Sequence, residues 1–93
     1  MLEKKYYSQN ISARVRKISG MRVLFGEDKC FELNEIAYDV WITLEDEKTI
    51  EEVVDAIEQN YGAKRDTIKN DVTPFIQQLV EEGMLIASTS VHS

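Results

Sequence analysis

Few side chains in this sequence could do chemistry of their own. Among its 93 residues Cys30 is the only cysteine and His92 the only histidine. A thiol nucleophile needs a base beside it, and the one imidazole stands far off near the C-terminus. Two such residues cannot build a zinc site. A lone cysteine forms no internal disulfide, which suits a reducing cytoplasm. The acids Glu45, Asp46, Glu47, Glu51, Glu52, Glu81 and Glu82 fall in turns and at helix ends, where a solvated face is the plain reading; a catalytic carboxylate pair needs a cleft. Gly20, Gly26, Gly62 and Gly83 lack phosphate-binding spacing. The expectation is no enzyme, no metal and no cofactor.

The charges are more informative. The chain has 11 basic and 17 acidic residues, a net charge of −6. Residues 1–31 carry seven bases and three acids, and residues 32–93 four bases and fourteen acids. At 43% hydrophobic and 30% charged residues this is the balance of one small folded domain, expected over 1–93 with 88–93 as a flexible tail. No apolar run approaches the ~20 residues of a membrane span, and the N-terminus lacks an export signal core, so no membrane partner is expected.

Those residues must be positioned by a short list of elements. Ile11, Ala13 and Val15 alternate with Ser12, Arg14 and Arg16, a half-buried strand over 11–17. Ser19-Gly20 and Gly26-Glu27-Asp28 punctuate a second strand carrying Met21, Val23 and Phe25 and a third over 29–33. Short connections predict an antiparallel meander. Asn34 can cap a helix with the apolar stripe Ile36, Ala37, Val40, Trp41 and Leu44. Thr49-Ile50-Glu51-Glu52 matches a capping box for a second helix ending at Gly62. A third begins near Asp66 or Thr67 and runs to Gly83, with Pro74 expected to bend it or to delay its start to near Asn70. Met84 to Ala87 is a short apolar segment; Tyr6 and Tyr7 read equally as a packed strand or as an exposed pair. The fold class is α+β, a three-stranded antiparallel sheet followed by three helices, winged-helix-like.

A winged-helix DNA-binding regulator is therefore the alternative reading. Its third helix would be the reader, with Lys64, Arg65 and Lys69 near its start, but Asp66, Asp71, Glu81 and Glu82 share that helix. DNA affinity needs basic density, which the helical part lacks, so no nucleic-acid partner is expected. What remains is a binding surface. A short edge strand beside an amphipathic helix makes a groove in which an extended peptide can add as a strand. Backbone bonds at ~1 kcal/mol each do not offset an association cost of ~4–15 kcal/mol, so side chains must enter apolar pockets. Ile68, Val72 and Ile76 of the third helix are candidates to supply them.

Two runs carry a family resemblance. Phe31-Glu32-Leu33-Asn34-Glu35-Ile36-Ala37-Tyr38-Asp39-Val40-Trp41 and Asp71 to Leu85, with Thr49 to Tyr61 between them, resemble the helix motifs of PqqD-like proteins in order and spacing, over about 11–87. The resemblance implies a non-catalytic recognition element for ribosomally made, post-translationally modified peptides. Such proteins bind the leader of a precursor peptide and present it to a modifying enzyme such as a radical-SAM enzyme, a leader protease or a cyclase. The leader adds to the third strand against the third helix. Carried over to this chain, the edge is Lys29, Cys30, Phe31, Glu32 and Leu33, and the helix wall includes Lys69, Val72, Thr73 and Ile76.

Overall fold

Ser19 and Gly20 both take positive φ, 51° and 82°. A two-residue reversal of that hand matches the twist of antiparallel strands, and it starts the central sheet. The computed structural model describes residues 2–92. Around the reversal Arg14–Ile18 (β2) pairs with Met21–Phe25 (β3), and β3 pairs with Cys30–Leu33 (β4), in the order β2-β3-β4 and antiparallel throughout. Three helices follow, Glu35–Thr43 (α1), Ile50–Tyr61 (α2) and Arg65–Glu81 (α3). The α+β class, with a three-stranded antiparallel sheet leading into three helices, is the expected one.

Local chemistry starts α1 and α2, and stops α2, where the residues indicated; α3 starts at Arg65 without a side-chain cap and ends at Glu81. The Asn34 side chain accepts the Ala37 N–H at 2.8 Å. Thr49 and Glu52 each accept the other's backbone N–H, at 3.2 and 2.9 Å, the reciprocal capping box. Gly62 closes α2 in the left-handed region, as a C-terminal glycine does. α3 runs through Pro74 as one helix from Arg65, so its start is not delayed to Asn70.

Leu24, Leu33, Val40, Trp41, Leu44, Ile57, Ile76, Leu79 and Met84 are buried together. Cross-strand partners share a face, so Val15, Leu24 and Phe31 look inward. Met21, Val23 and Phe25 lie on the opposite, outer face beside Arg14 and Arg16. At Gly26 a Cβ would stand 2.7 Å from Met84 Cε, so a side chain there would require the Met84 side chain to shift.

Two segments differ from expectation. Leu2–Gln9 (β1) and Leu85–His92 (β5) form a separate two-stranded antiparallel sheet, with Leu2 opposite His92 and Gln9 opposite Leu85. Residues 88–92, expected within the flexible tail, are the second half of β5; Met1 and Ser93 lie outside the described residues. Tyr7 is buried and its backbone exchanges hydrogen bonds of 2.8 and 3.0 Å with Lys48, which resolves the tyrosine pair as part of a strand. The strand expected from Ile11 begins only at Arg14. The Asn10 side chain accepts the Ser12 N–H at 3.0 Å and draws 10–12 into a turn, the usual competition of asparagine with a strand ladder. Ile11 is left 94% exposed there.

Candidate functional site

β4 ends its sheet, because β3 pairs with one side of it only. The register settles which groups are vacant. The Gly26 N–H donates to the Lys29 carbonyl at 2.9 Å, and antiparallel partners alternate between bonded and non-bonded pairs. Leu24–Phe31 and Arg22–Leu33 are then the bonded pairs. Phe31 and Leu33 turn their backbone to β3, and Cys30 and Glu32 turn theirs to the open side. The edge thus offers two N–H donors and two C=O acceptors. The Cys30 and Glu32 side chains are exposed on the outer face, Phe31 is half-buried on the inner one, and Leu33 is buried.

No loop separates β4 from α1, since Leu33 is followed by the cap Asn34. The first turn of α1 therefore stands at the end of the open edge. Between it and the middle of α3 lies a cleft of about 260 Å³ lined by Asn34, Ile36, Ala37, Val40, Asp71, Val72 and Phe75. Its walls are apolar apart from Asn34 and Asp71, so it suits a side chain with an apolar body. At the other end of β4, Lys29 Nζ lies 3.0 Å from Glu82 Oε2. The turn before β4 thus reaches the residue that follows α3. On α3 itself, Asp71 and Phe75, one turn apart, face the start of α1 across the cleft.

The expected site residues divide accordingly. Lys29, Cys30, Phe31, Glu32 and Leu33 form the edge together, and Val72 reaches both the cleft and the core. Ile68 and Ile76, at 5% and 0% exposure, are core beneath the groove rather than its wall. Lys69 points the other way, its Nζ 2.6 Å from Glu51 Oε1 on α2. Thr73 follows one turn later on that same flank, its hydroxyl buried without a partner. The wall residues that the sequence did not single out are Asp71 and Phe75. Helical periodicity separates the two flanks of α3, but which one lines the cleft is decided by packing against α2, β5 and α1.

Ion pairs line the solvent side of the α2–α3 contact. The Arg65 guanidinium donates to Glu51 at 2.6 Å, to Glu58 at 3.3 Å and to Asp55, three carboxylates on one stripe of α2. Lys69 and then Arg65 keep the Glu51 carboxyl below its ordinary range. The Tyr61 hydroxyl donates to Asp39, tying α2 to α1. That carboxylate, with some loss of solvent, pushes the phenol up to about 12. Arg22 lies 4.2 Å over the Tyr38 ring, joining β3 to α1. Among the described residues no group of His, Cys, Asp and Glu is placed to hold a metal ion, and no helix is long and apolar enough to cross a membrane.

The family model described as coenzyme PQQ synthesis protein D (PqqD) matches residues 22–85, more than half of the chain. The chain belongs to the PqqD family. The match takes in most of β3, all of β4 and the three helices, the elements that build the edge and the cleft. Two solved structures are similar. One is TbiB1 in complex with the TbiA(beta) leader peptide, 28% identical, with a TM-score of 0.69 over 84% of this chain and 93% of that one. The other is the solution structure of the PqqD truncation of Methylobacterium extorquens PqqCD, described as a stand-alone recognition element for ribosomally synthesized and post-translationally modified peptides. It is 20% identical, with a TM-score of 0.72 over 87% of this chain and 88% of that one, and speaks for the PqqD fold alone. No curated protein matches the chain.

Proposed function

We propose that this chain is a non-catalytic recognition element that binds the leader of a ribosomally made precursor peptide and presents it to a modifying or processing enzyme, such as a radical-SAM enzyme, a leader protease or a cyclase. The observation that carries this reading is the vacant edge of β4 beside an open apolar cleft. It gains support from the likeness to TbiB1, whose structure holds a leader peptide. The leader adds as a strand along Lys29 to Leu33, taking backbone bonds from Cys30 and Glu32. Alternate leader side chains turn inward past Leu33, toward Val72, Phe75 and Asp71. Lys69 and Thr73 lie on the far flank of α3 and drop out of the contact; Ile68 and Ile76 support it from below.

The opposite edge of the sheet, β2, has no helix-lined cleft of this kind beside it, and Arg14, Arg16 and Lys17 on a short strand are what usually keeps an edge unpaired. Titrating the ¹⁵N-labelled protein with the synthetic leader of a precursor encoded beside its gene tests the reading. Shifts are expected at residues 30–33, at the start of α1 and at Asp71 to Gln78, with affinity near micromolar, about −8 kcal/mol. Shifts confined to α2 or to β1 and β5 would sink it. Duplex DNA is expected to leave the leader-responsive amides unchanged at any salt concentration; binding that weakens steeply with salt would favour a winged-helix regulator.

A further inference from the structure

The β2–β3 part of the sheet's outer face, away from Cys30 and Glu32, is a surface that the leader reading does not use. Between Ser12 and Gly26 the chain has four bases and no acid, although the whole chain is acidic. Arg22 turns inward to Tyr38. Arg14 and Arg16 are exposed on the outer face, and no carboxylate pairs with them among the described residues. Beside them, on the same face by register, lie Ile18 and Met21, each 44% exposed, with half-buried Val23 and Phe25. A shallow groove of about 390 Å³ runs along Arg14, Arg16, Ile18 and Phe25. None of the helices packs over β2.

Unpaired arginines beside Met, Ile and Phe are what interface cores favour. Arginine's planar fork matches carboxylates two bonds at a time. We propose that the outer face of the β2–β3 hairpin is a docking surface for a second protein that presents carboxylates interleaved with apolar side chains. Charge complementarity selects this occupant. A second copy of the chain would oppose arginine to arginine across a two-fold axis. Nucleic acid would leave Ile18 and Met21 against phosphates, with no aromatic ring free for stacking beyond the half-buried Phe25. The proposal is independent of the leader reading, since β2 and the open edge of β4 lie on opposite sides of the sheet.

The test uses the full chain and a ten-residue probe peptide of alternating glutamate and leucine, with decaglutamate and a 12-base-pair DNA duplex as comparisons. The glutamate–leucine peptide is expected to shift amides of 14–18 and 21–25. Arg14→Glu with Arg16→Glu should weaken it at least ten-fold, and Ile18→Ser with Met21→Ser several-fold, with circular dichroism unchanged. The proposal is overturned if the shifts fall elsewhere, if decaglutamate binds as tightly, if DNA binds more tightly, or if the arginine reversals leave affinity intact.

Discussion

A hydroxyl and a phenol give the clearest tests at the scale of single residues. Thr73 Oγ1 is buried without a partner, and an unsatisfied buried polar group costs about 1–3 kcal/mol. Thr73→Val keeps the shape and removes the cost, so chemical denaturation is expected to find the variant more stable by about 1 kcal/mol with leader affinity unchanged. Ile76→Ala, at a fully buried position, is expected to lose about 2–5 kcal/mol. Tyr61 supplies a pH signature. Its phenol is raised from the ordinary 10.0 to about 12, chiefly because the neutral hydroxyl donates to Asp39. A group whose folded pKa exceeds its unfolded value contributes stability that is complete below the unfolded one. The contribution is therefore whole below pH 10 and fades as pH rises toward 12. Denaturant midpoints across that window should fall less steeply in Tyr61→Phe, and the phenolate absorbance that appears last should be missing from it.

At the scale of elements the alternation along β4 separates neighbouring residues. Proline at Cys30 removes an N–H that faces the open side, a position where an edge strand tolerates it. Calorimetry is expected to find leader binding weakened at least ten-fold with the thermal midpoint nearly unchanged. Proline at Phe31 removes an N–H used by β3 and is expected to lower the midpoint itself. Equal effects of the two would mean that the register is wrong. That distinction was within reach of the residues alone: alternation put Phe31 and Leu33 on one face, Cys30 and Glu32 on the other, and the turn at Gly26 sets the phase. Asn34, the Thr49–Glu52 box and Gly62 were equally legible, because caps are written in single side chains and their immediate neighbours. The facing flank of α3 was not. Lys69 and Asp71 stand two residues apart yet on opposite flanks, and the choice rests on where the buried stripe Ile68, Val72, Ile76 and Leu79 packs, which is settled only once α3 has met α2 and its other neighbours.

On the scale of the whole molecule, the same limit explains the β1–β5 pairing. Tyr7 faces Ala87 across nearly the full length of the chain, and neither strand advertises the other; Leu2–Gln9 carries no clean alternation, and Leu85–His92 is largely small and polar. What the sequence did carry at this scale is the division of charge. Its basic first third became β1 and most of the three-stranded sheet, with Arg14 and Arg16 on the outer face, and its acidic remainder the helices and β5. An acidic body with a basic patch gives a partner of opposite polarity a preferred approach.

The ribbon also brings residue 2 beside residue 92. Nearness of that kind makes the order of the chain a matter of convenience. A short glycine–serine bridge between them, with new ends cut at the exposed junction of Gly62 and Ala63, should yield a circularly rearranged protein with the parent's amide spectrum away from the joins. The rearranged molecule would carry its termini between α2 and α3, so that tags or tethered enzymes could be grafted there instead of onto the ribbon.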